Sequence, residues 1–283
     1  MKSGDYMDWN KSNTILILAF IILNIFLLVA TFSDTFTDDT NVVVNGEFKN
    51  DVEELLKKKN INIKCEIPDD SYILPVLETE FEIIRINKEL LEKYLGNGVE
   101  AQDGVFKYIN NKNEILEIVD NKKIIYTMRN KAPGEIRDDE SVNKAVDEFL
   151  KGKSIDKKGM SESYKYISNE GFTVTYTEKF NDYSIDNSYM RFFLDSNGIY
   201  KFEMQRASSI IEIKDKTRLI PALEALPRII TYDDLKDKDI TEIKVAYCSK
   251  EDGNWQNIFR TNSDPTWKVI FSDGTQKNLV SAD

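Results

Sequence analysis

The sequence predicts an α+β fold outside the membrane, attached to a single N-terminal transmembrane helix. An uncharged apolar run opens the chain, helical and strand-like hydrophobic periods alternate beyond it, and Asn-Gly or Asp-Gly pairs follow several apolar runs. The 283 residues are enough for one large domain or two small ones. We therefore expect a tethered body in which helices pack on antiparallel sheets.

The apolar run at residues 14–32 contains nineteen residues without a charge. A helix of this length reaches about 28 Å, which is close to the thickness of the hydrocarbon core of a bilayer. A cleaved signal peptide is the alternative, but such signals have shorter apolar cores and small residues at the cut, whereas this run ends in Phe32. A permanent anchor is therefore favoured.

The flanks of the run predict its orientation. Lys2 and Lys11 precede it, whereas the first basic residue after it is Lys49. Because positively charged flanks remain inside, we expect residues 1–13 to form a cytoplasmic tail and the chain beyond the run to lie outside the cell. No later stretch is both long and apolar enough to return, so the sequence predicts a single-pass membrane protein.

Two residues bear on whether the span does more than anchor the chain. Trp9 is expected at the level of the lipid headgroups, where amphipathic aromatic side chains are favoured, and that explanation needs no partner. Asn24 lies in the middle of the run, where its amide gains from bonding to a polar group on a second transmembrane helix. Measured gains average only about 0.6 kcal/mol, so a merely tolerated Asn24 is an equally good physical explanation.

Residues 33–46 are predicted to form a linker, because Thr, Asp and Asn dominate and no hydrophobic period is sustained. Residues 47–133 are predicted to form a first subdomain. Its expected elements are a helix at 47–60, strands at 61–67, 72–77 and 81–86, a helix at 88–95 and a meander at 105–128. The Pro-Gly pair within residues 131–134 marks the boundary that follows.

Residues 134–283 are predicted to form a second subdomain with two units, each a helix followed by antiparallel strands. The first helix is expected over 142–150, after the capping candidates Asp138 and Asp139 and before Gly152. Strands are expected at 164–168, 172–178, 189–195 and 199–206, and the last two are joined by an Asn-Gly turn. The second unit has a helix at 217–228, a strand at 243–247 and a hairpin turning at Asp273-Gly274.

Composition excludes several classes of function. The net charge is −11 and the excess lies beyond the apolar run, so nucleic acid is a poor partner. The sequence has no histidine, which excludes Ser-His-Asp and Cys-His hydrolases and HExxH zinc proteases. Cys65 and Cys248 form no CxxC motif, and their spacing leaves open whether they form a disulfide.

The sequence contains a short pattern found in some enzymes, but the residues around it do not support catalysis. The S-x-x-K pattern from Ser154 to Lys157 lies in a lysine-rich loop, and no S-D-N or K-T-G motif follows it. We therefore expect no enzyme activity, no cofactor and no metal. The aromatic residues of the later strands either line a groove for a ligand or peptide or, as strand alternation favours for most of them, belong to the core. They are Tyr164, Tyr166, Phe172, Tyr176, Tyr189, Phe192, Phe193, Tyr200, Phe202 and Trp267.

The stretch MDWNKS at residues 7–12, followed by the apolar run, resembles the start of the YycI (WalI) family of two-component regulatory proteins. Members of that family open with Met-Asp-Trp, a polar or basic turn and a span with an Asn-Ile-Phe-Leu piece, which matches residues 24–27. The resemblance continues through residues 48–68 and into the hairpin at 265–280, whose Trp and Asp-Gly pattern is similar to PepSY-like ends. It also points to Met7 as the usual start.

The resemblance implies regulation without catalysis. Family members are single-span membrane proteins with an extracytoplasmic α+β domain of YycH/YycI-like, PepSY-like units, and they act with the YycH protein on the WalK (YycG) sensor kinase, which governs cell-wall metabolism. Contact between transmembrane helices is a substantial part of this action. An extracytoplasmic binding module for a wall fragment or peptide, with the span as a tether only, is the alternative. In the first case the residues expected to contact partner helices, within membrane lipid, are Trp9, Phe20, Asn24, Leu27 and Leu28.

Overall fold

The computed structural model describes residues 20, 46–97, 99–101, 106–128, 136, 138–168, 171–249 and 259–279. The chain divides into two units, Met1–Lys49 and Asn50–Asp283. In the first unit Phe20 is helical and its side chain is 65% exposed. Among the described residues, no helix has both the length and the apolar character needed to cross a membrane. Except for Phe20 and Gly46, the predicted tail, span and linker lie outside the described residues.

Two of the helices begin at side-chain caps, and the sequence predicts the second of these caps. Asn87 accepts a hydrogen bond from the backbone N–H of Leu90, and Asp138 forms a capping box with Ser141. The predicted helices at 47–60, 88–95 and 142–150 are confirmed, with small differences at their ends. The α-helices are α1 (Gly46–Lys57), α2 (Lys88–Leu95), α3 (Asp139–Gly152) and α4 (Ala222–Ala225), and 3₁₀ turns follow α4 at Leu226–Thr231 and Asp233–Leu235.

The described strands join in one 13-stranded sheet. The hairpin predicted at Asn197-Gly198 is confirmed, because Asp195 pairs with Gly198 across the turn. The strands are β1 (Tyr72–Phe81), β2 (Glu100–Ala101), β3 (Lys107–Ile109), β4 (Ile115–Val119), β5 (Lys123–Thr127), β6 (Met160–Ser168), β7 (Gly171–Phe180), β8 (Tyr183–Asp195), β9 (Gly198–Gln205), β10 (Ala207–Leu219), β11 (Ile240–Cys248), β12 (Arg260–Phe271) and β13 (Gln276–Leu279).

The sheet has two parts, and β8 connects them. The strand order is β10-β1-β12-β11-β8-β9-β5-β4-β3-β2, with β7 and β6 attached to β8 and β13 attached to β12. Nearly all pairs are antiparallel, as the sequence predicts. The start of β8, however, pairs in parallel with β11, where Ser184 lies opposite Ala246 and Ile185 opposite Tyr247. This contact brings the β12–β13 hairpin beside the sheet formed by β6, β7 and β8.

The larger core lies between α3 and one face of β7, β8 and β9. Val142, Val146 and Leu150 recur at helical spacing on α3 and are buried in this core. Because side chains alternate along a strand, β8 sends every second residue into the core and the others to the opposite face. The buried strand residues of this core include Val174, Tyr176, Met190, Phe192, Leu194 and Phe202.

Trp267 organises the packing beneath α4. Its ring is 1% exposed and lies 5.8 Å from the Tyr72 ring, edge to face. The indole N–H donates a hydrogen bond of 2.7 Å to the carbonyl oxygen of Ile220, two residues before the start of α4. Leu226 and Ile229 of the following 3₁₀ turn are also fully buried. Trp267 and these residues of the 3₁₀ turn are therefore buried, although α4 itself is short.

Three elements differ from the sequence-based expectation. The helix predicted at 217–228 is wrong, because β10 continues to Leu219 and only a single helical turn follows Pro221. Pro227 has no N–H group, so it cannot continue an α-helical hydrogen-bond pattern. The strand predicted at 61–67 is reduced to an isolated bridge between Ile63 and Ile240. The strands predicted at 72–77 and 81–86 are one strand, β1, and residues 82–87 are not in a strand.

The domain boundary predicted between residues 133 and 134 lies outside the described residues and stays a prediction. Strands from both sides of it are hydrogen-bonded to each other, because β1 pairs with β10 and β5 pairs with β9. The open question about the cysteines is answered by the structure: no disulfide joins Cys65 to Cys248, and Sγ of Cys248 donates to the carbonyl oxygen of Ser249 at 3.4 Å.

Candidate functional site

A polar cleft of about 760 Å³ lies on the face of β7 and β8 that points away from α3. Its other wall is the β12–β13 hairpin together with the end of β11. Strand alternation selects the residues of the first wall, since the neighbours of the core residues point into the cleft. They are Thr173, Thr175 and Thr177 of β7 and Tyr189, Arg191 and Phe193 of β8.

The tip of the β12–β13 hairpin is held against β6. The hydroxyl of Tyr164 donates a hydrogen bond of 2.9 Å to the carbonyl oxygen of Gly274. Burial is the main cause that raises the pKa of Tyr164 to about 12, so this hydroxyl remains a donor at physiological pH. Gly274 has φ +84°, and a Cβ on it would lie 2.7 Å from Cγ of Tyr166. The closure of the cleft therefore requires glycine here for two independent reasons.

A buried ion pair joins the two walls. Nζ of Lys268 on β12 lies 3.0 Å from Oδ1 of Asp186 on β8, and Lys268 is 3% exposed. The second carboxylate oxygen of Asp186 accepts a hydrogen bond of 3.0 Å from Nδ2 of Asn278 on β13. The Ser184 hydroxyl donates to Oδ1 of the same carboxylate. The charges of the pair are thus compensated, and the carboxylate is bonded at both oxygens.

An amide network forms the floor of the cleft. Nδ2 of Asn187 donates to the hydroxyl oxygens of Ser249 and Ser263, each at 3.1 Å. Nε2 of Gln205 donates to the backbone carbonyl oxygen of Asn187 at 2.9 Å. Asn187 is therefore held from two strands, and the orientation of its side chain is fixed.

Three buried polar atoms in this lining have no hydrogen-bond partner within the described part of the chain. They are Oγ1 of Thr177, Oδ1 of Asn187 and Oδ1 of Asn278. Thr177 is 1% exposed. Buried polar atoms in native proteins are normally bonded, so each of these three atoms leaves a hydrogen bond to be made by water or by another polar group.

The cations of the cleft differ in how they are compensated. Lys123 pairs with Glu203 at 3.3 Å. Burial acts to lower the pKa of Lys123, but Tyr189 and Glu203 outweigh burial and the pKa is raised. Arg191 donates from Nε to Oγ1 of Thr175 at 3.2 Å, and its guanidinium carbon lies 5.0 Å from the centre of the Tyr189 ring. Among the described residues, no carboxylate forms an ion pair with Arg191.

Four of the five residues predicted to contact partner helices lie outside the part of the chain that the structure describes. Trp9, Asn24, Leu27 and Leu28 lie outside the described residues, and their roles stay predictions. Phe20 is helical and exposed, and its role also stays a prediction. The structure therefore neither brings these five residues together nor separates them.

The aromatic residues of the later strands divide between the two possibilities that the sequence left open. Tyr176, Phe192, Phe202 and Trp267 are buried in the core, as alternation favours. The remaining polar lining was not singled out from the sequence, because Thr, Asn and Gln on exposed strand faces carry no distinctive pattern. The aromatic residues that line the cleft are Tyr164, Tyr166, Tyr189 and Phe193.

The S-x-x-K pattern does not form a catalytic pair. Nζ of Lys157 lies 2.7 Å from Oδ1 of Asp147, and this hydrogen bond is the main cause that raises the pKa of Lys157. A lysine with a raised pKa is a poor general base at neutral pH. In the described ranges, no group of three or more Cys, Asp or Glu residues is arranged to hold a metal ion.

Comparison with solved structures gives matches at low sequence identity. YycH from Bacillus subtilis has a TM-score of 0.52 with 13% sequence identity, over 80% of this chain and 60% of that one. An uncharacterized protein from Eubacterium rectale has a TM-score of 0.46 with 12% identity, over 84% of this chain and 92% of that one. The C-terminal domain of YpeB from Bacillus megaterium has a TM-score of 0.29 with 9% identity, over 82% of this chain and 97% of that one.

The likeness to YycH shows a shared α+β fold, and this chain spans 60% of the length of that YycH chain. No curated protein gives a significant match to the sequence. The protein family that does match is described as YycI protein, and the match covers residues 40–282. Because it includes nearly the whole chain beyond the apolar run, the chain belongs to the YycI family.

Proposed function

We propose that this chain is a membrane-anchored, non-catalytic regulator of a WalK/YycG-type sensor histidine kinase that controls cell-wall metabolism. The observation that carries the proposal is the YycI family match over residues 40–282. Membership of this family, together with the fold shared with YycH, supports a regulatory role in the WalK/YycG pathway. A YycH-like protein is the second partner that we propose.

The proposed mechanism places residues 14–32 across the membrane, with residues 1–13 in the cytoplasm and the folded body outside. Phe20, Asn24, Leu27 and Leu28 then lie on one face of the span, because they are spaced by four, three and one residues along a helix. Trp9 lies at the headgroup level of the same helix. This face pairs with a helix of the kinase or of the YycH-like protein.

Pairing regulates the kinase only when it discriminates between signalling states. If the span binds one state of the kinase helices more tightly than the other, it shifts the kinase toward that state by the difference in affinity. A buried amide such as Asn24 supplies a contact that depends on the rotation of the partner helix. Contacts of the extracytoplasmic body with the YycH-like partner add affinity without requiring any catalytic group.

The proposal is tested by exchanging the span. Residues 14–32 are replaced by an unrelated apolar helix of the same length, with residues 33–283 unchanged, and expression of cell-wall genes is measured in cells. The matched control is the native chain made from the same promoter, with membrane levels of both proteins compared by immunoblot. We expect regulation to be lost; full regulation by the exchanged chain would contradict a role for the native span.

A second candidate function is an extracytoplasmic binding module for which the span is only a tether. The polar cleft favours it, since unsatisfied buried polar atoms and Arg191 line one cavity. Residues 40–283, secreted without the span, discriminate between the two. Restored regulation by this soluble chain favours the binding module, whereas no restoration despite secretion favours the helix-pairing regulator.

A further inference from the structure

We propose that the cleft between β7–β8 and the β12–β13 hairpin binds a small polar ligand that carries a single carboxylate, and that Arg191 receives this carboxylate. The inference goes beyond regulation of the kinase and does not depend on it, because a ligand can occupy the cleft whatever the span contacts. It rests on the geometry of Arg191, on the charge balance of the lining and on the unsatisfied atoms of the floor.

Arg191 is arranged as a receptor for a carboxylate. Its Nε donates a hydrogen bond of 3.2 Å to Oγ1 of Thr175, and its guanidinium carbon lies 5.0 Å from the centre of the Tyr189 ring. The plane of the guanidinium group is therefore held from two directions. Glu203 on β9 lies opposite Arg191 in the pairing of β8 with β9. Its carboxylate is already bound by Lys201 at 2.6 Å and by Lys123 at 3.3 Å. The terminal nitrogens of the guanidinium group therefore form no ion pair with a carboxylate of the described residues.

A guanidinium group held in this way matches the geometry of a carboxylate. Its two terminal nitrogens form parallel hydrogen bonds to the two oxygens of such a group, which is why Arg is common where carboxylates are recognised. Because the guanidinium group is already held in place before the ligand binds, the protein loses less conformational entropy on binding. The arrangement thus favours a ligand group with two oxygens in one plane.

The charge balance of the lining favours one negative charge rather than several. Lys268 is neutralised by Asp186 at 3.0 Å, and Asp273 is neutralised by Lys238 at 2.8 Å. Burial lowers the pKa of Lys122, and the charge of Asp120 opposes this shift. A ligand with many negative charges would meet the carboxylates of Asp120, Asp186 and Asp273 in the same cleft. A singly charged ligand places its one negative group on Arg191 and brings no further negative charge toward these carboxylates.

The unsatisfied atoms of the floor indicate what else the ligand carries. Oδ1 of Asn187 and Oδ1 of Asn278 are acceptors, and Thr177 offers a hydroxyl that is 1% exposed. Acceptors require N–H or O–H groups, so the ligand has amide or hydroxyl donors beside its carboxylate. The volume of about 760 Å³ is within the range of about 300–1,000 Å³ typical of small-molecule sites.

A short peptide with a free C-terminus and an acidic amino sugar share this chemistry, and binding measurements separate them. The purified full-length chain in detergent is titrated with N-acetyl-Ala-Ala and with its C-terminal amide, and with N-acetylmuramic acid and N-acetylglucosamine. Each pair differs in the carboxylate group. We expect the carboxylate member of at least one pair to bind at least about tenfold more tightly than its neutral counterpart. The pair that does so identifies the source.

Variants then test the assignment to Arg191. Arg191→Gln is expected to remove the preference for the carboxylate, and Arg191→Lys, which keeps the charge without the fork, is expected to weaken it. The matched control is Arg260→Gln, since Arg260 lies outside the cleft and is 59% exposed. Thr177→Val tests the floor separately and is expected to weaken binding of both members of the recognised pair. Thermal unfolding of each variant confirms that it is folded.

Several results would overturn the inference. These are no binding of either carboxylate probe at millimolar concentration, equal binding of the charged and neutral members, or tighter binding of inorganic phosphate than of both carboxylates. An unchanged carboxylate preference in folded Arg191→Gln would equally exclude Arg191 as the receptor. If Arg191→Gln does not fold, the same conclusions follow from Arg191→Lys and Thr177→Val.

Discussion

Lys268 and Asp186, 82 residues apart in the sequence, form a buried ion pair of 3.0 Å across the cleft. The two side chains are only 4% and 12% exposed. Asn278 completes the link by donating to the second oxygen of the Asp186 carboxylate. One carboxylate on β8 thus fixes the positions of β12 and β13, and the walls of the cleft depend on it.

We predict that Lys268→Met destabilises the protein because it leaves the Asp186 carboxylate buried without its cation. The expected loss in the free energy of unfolding is about 3 kcal/mol, measured by urea denaturation of the folded body. The double variant Asp186→Asn/Lys268→Met removes both charges and is expected to recover much of that loss.

The control for this prediction is Lys157→Met. Lys157 and Asp147 also form a close pair, but their side chains are 44% and 63% exposed. An exposed pair contributes less than about 1 kcal/mol, so this variant should be nearly as stable as the native chain. Equal effects of the two lysine substitutions would show that burial of the pair at the cleft has no special importance.

Gly274→Ala is predicted to destabilise the hairpin more than Gly159→Ala does. Both glycines have positive φ, +84° and +81°, so the backbone cost of alanine is similar at the two positions. A Cβ at position 274 meets the Tyr166 ring at 2.7 Å, whereas one at position 159 meets nothing within 4 Å. We expect an additional loss of about 1–3 kcal/mol for Gly274→Ala by chemical denaturation. Identical losses would exclude close packing as the reason for Gly274.

The stability contributed by Glu203 is predicted to depend on pH. Burial acts to raise the pKa of Glu203, but Lys201 and Lys123 outweigh burial and hold this pKa below its ordinary value of 4.5. A carboxyl with a lowered pKa in the folded state stabilises the protein above its unfolded-state pKa, and this contribution is lost as the pH falls through the folded-state pKa. The native chain should therefore be more stable than Glu203→Gln at pH 7.

The measurement is the difference in free energy of unfolding between the native chain and Glu203→Gln from pH 7 down to pH 3. We expect the difference to shrink as the pH falls below about 4.5. A difference that is constant over this range would show that the carboxylate and its two lysines contribute nothing through charge.

Asn24→Leu is predicted to weaken the association of the span with its partner helices. Leu keeps the span apolar and removes the amide that we propose to bond across the helix pair, a contribution of about 0.6–1.7 kcal/mol. A membrane two-hybrid assay against the kinase and the YycH-like protein measures it. Ile22→Leu serves as the control, since it changes shape without removing a polar group. An Asn24→Leu signal equal to that of the native span would contradict the proposed bond.

Local signals predicted most of the fold, and contacts between distant residues account for the rest. The capping box of Asp138 and the Asn-Gly turn before Gly198 act within a few residues, so their elements are confirmed. The segment at 217–228 has the apolar pattern of a helix, yet pairing of β10 with β1 and the missing N–H of Pro227 decide its structure.

The sequence did not predict the cleft, because the cleft also depends on contacts between distant residues. It forms where the parallel contact of β8 with β11 brings the last hairpin beside β7, and no short stretch encodes that contact. Aromatic residues on strands indicated a groove as one possibility, and Tyr189 and Tyr166 lie in it. Arg191 carried no signal, since a single arginine on an alternating strand is indistinguishable from a solvated one.

Kinase autophosphorylation in reconstituted vesicles tests the central claim most directly. A WalK/YycG-type kinase is reconstituted with its YycH-like partner, with and without the full-length chain, and the initial rate of autophosphorylation is measured. Coupling energies of about 1–3 kcal/mol between sites predict a change in this rate of at least about fivefold in one direction when the chain is present. The same rate with and without the chain, at confirmed incorporation into the vesicles, would contradict the proposal that this protein regulates the kinase.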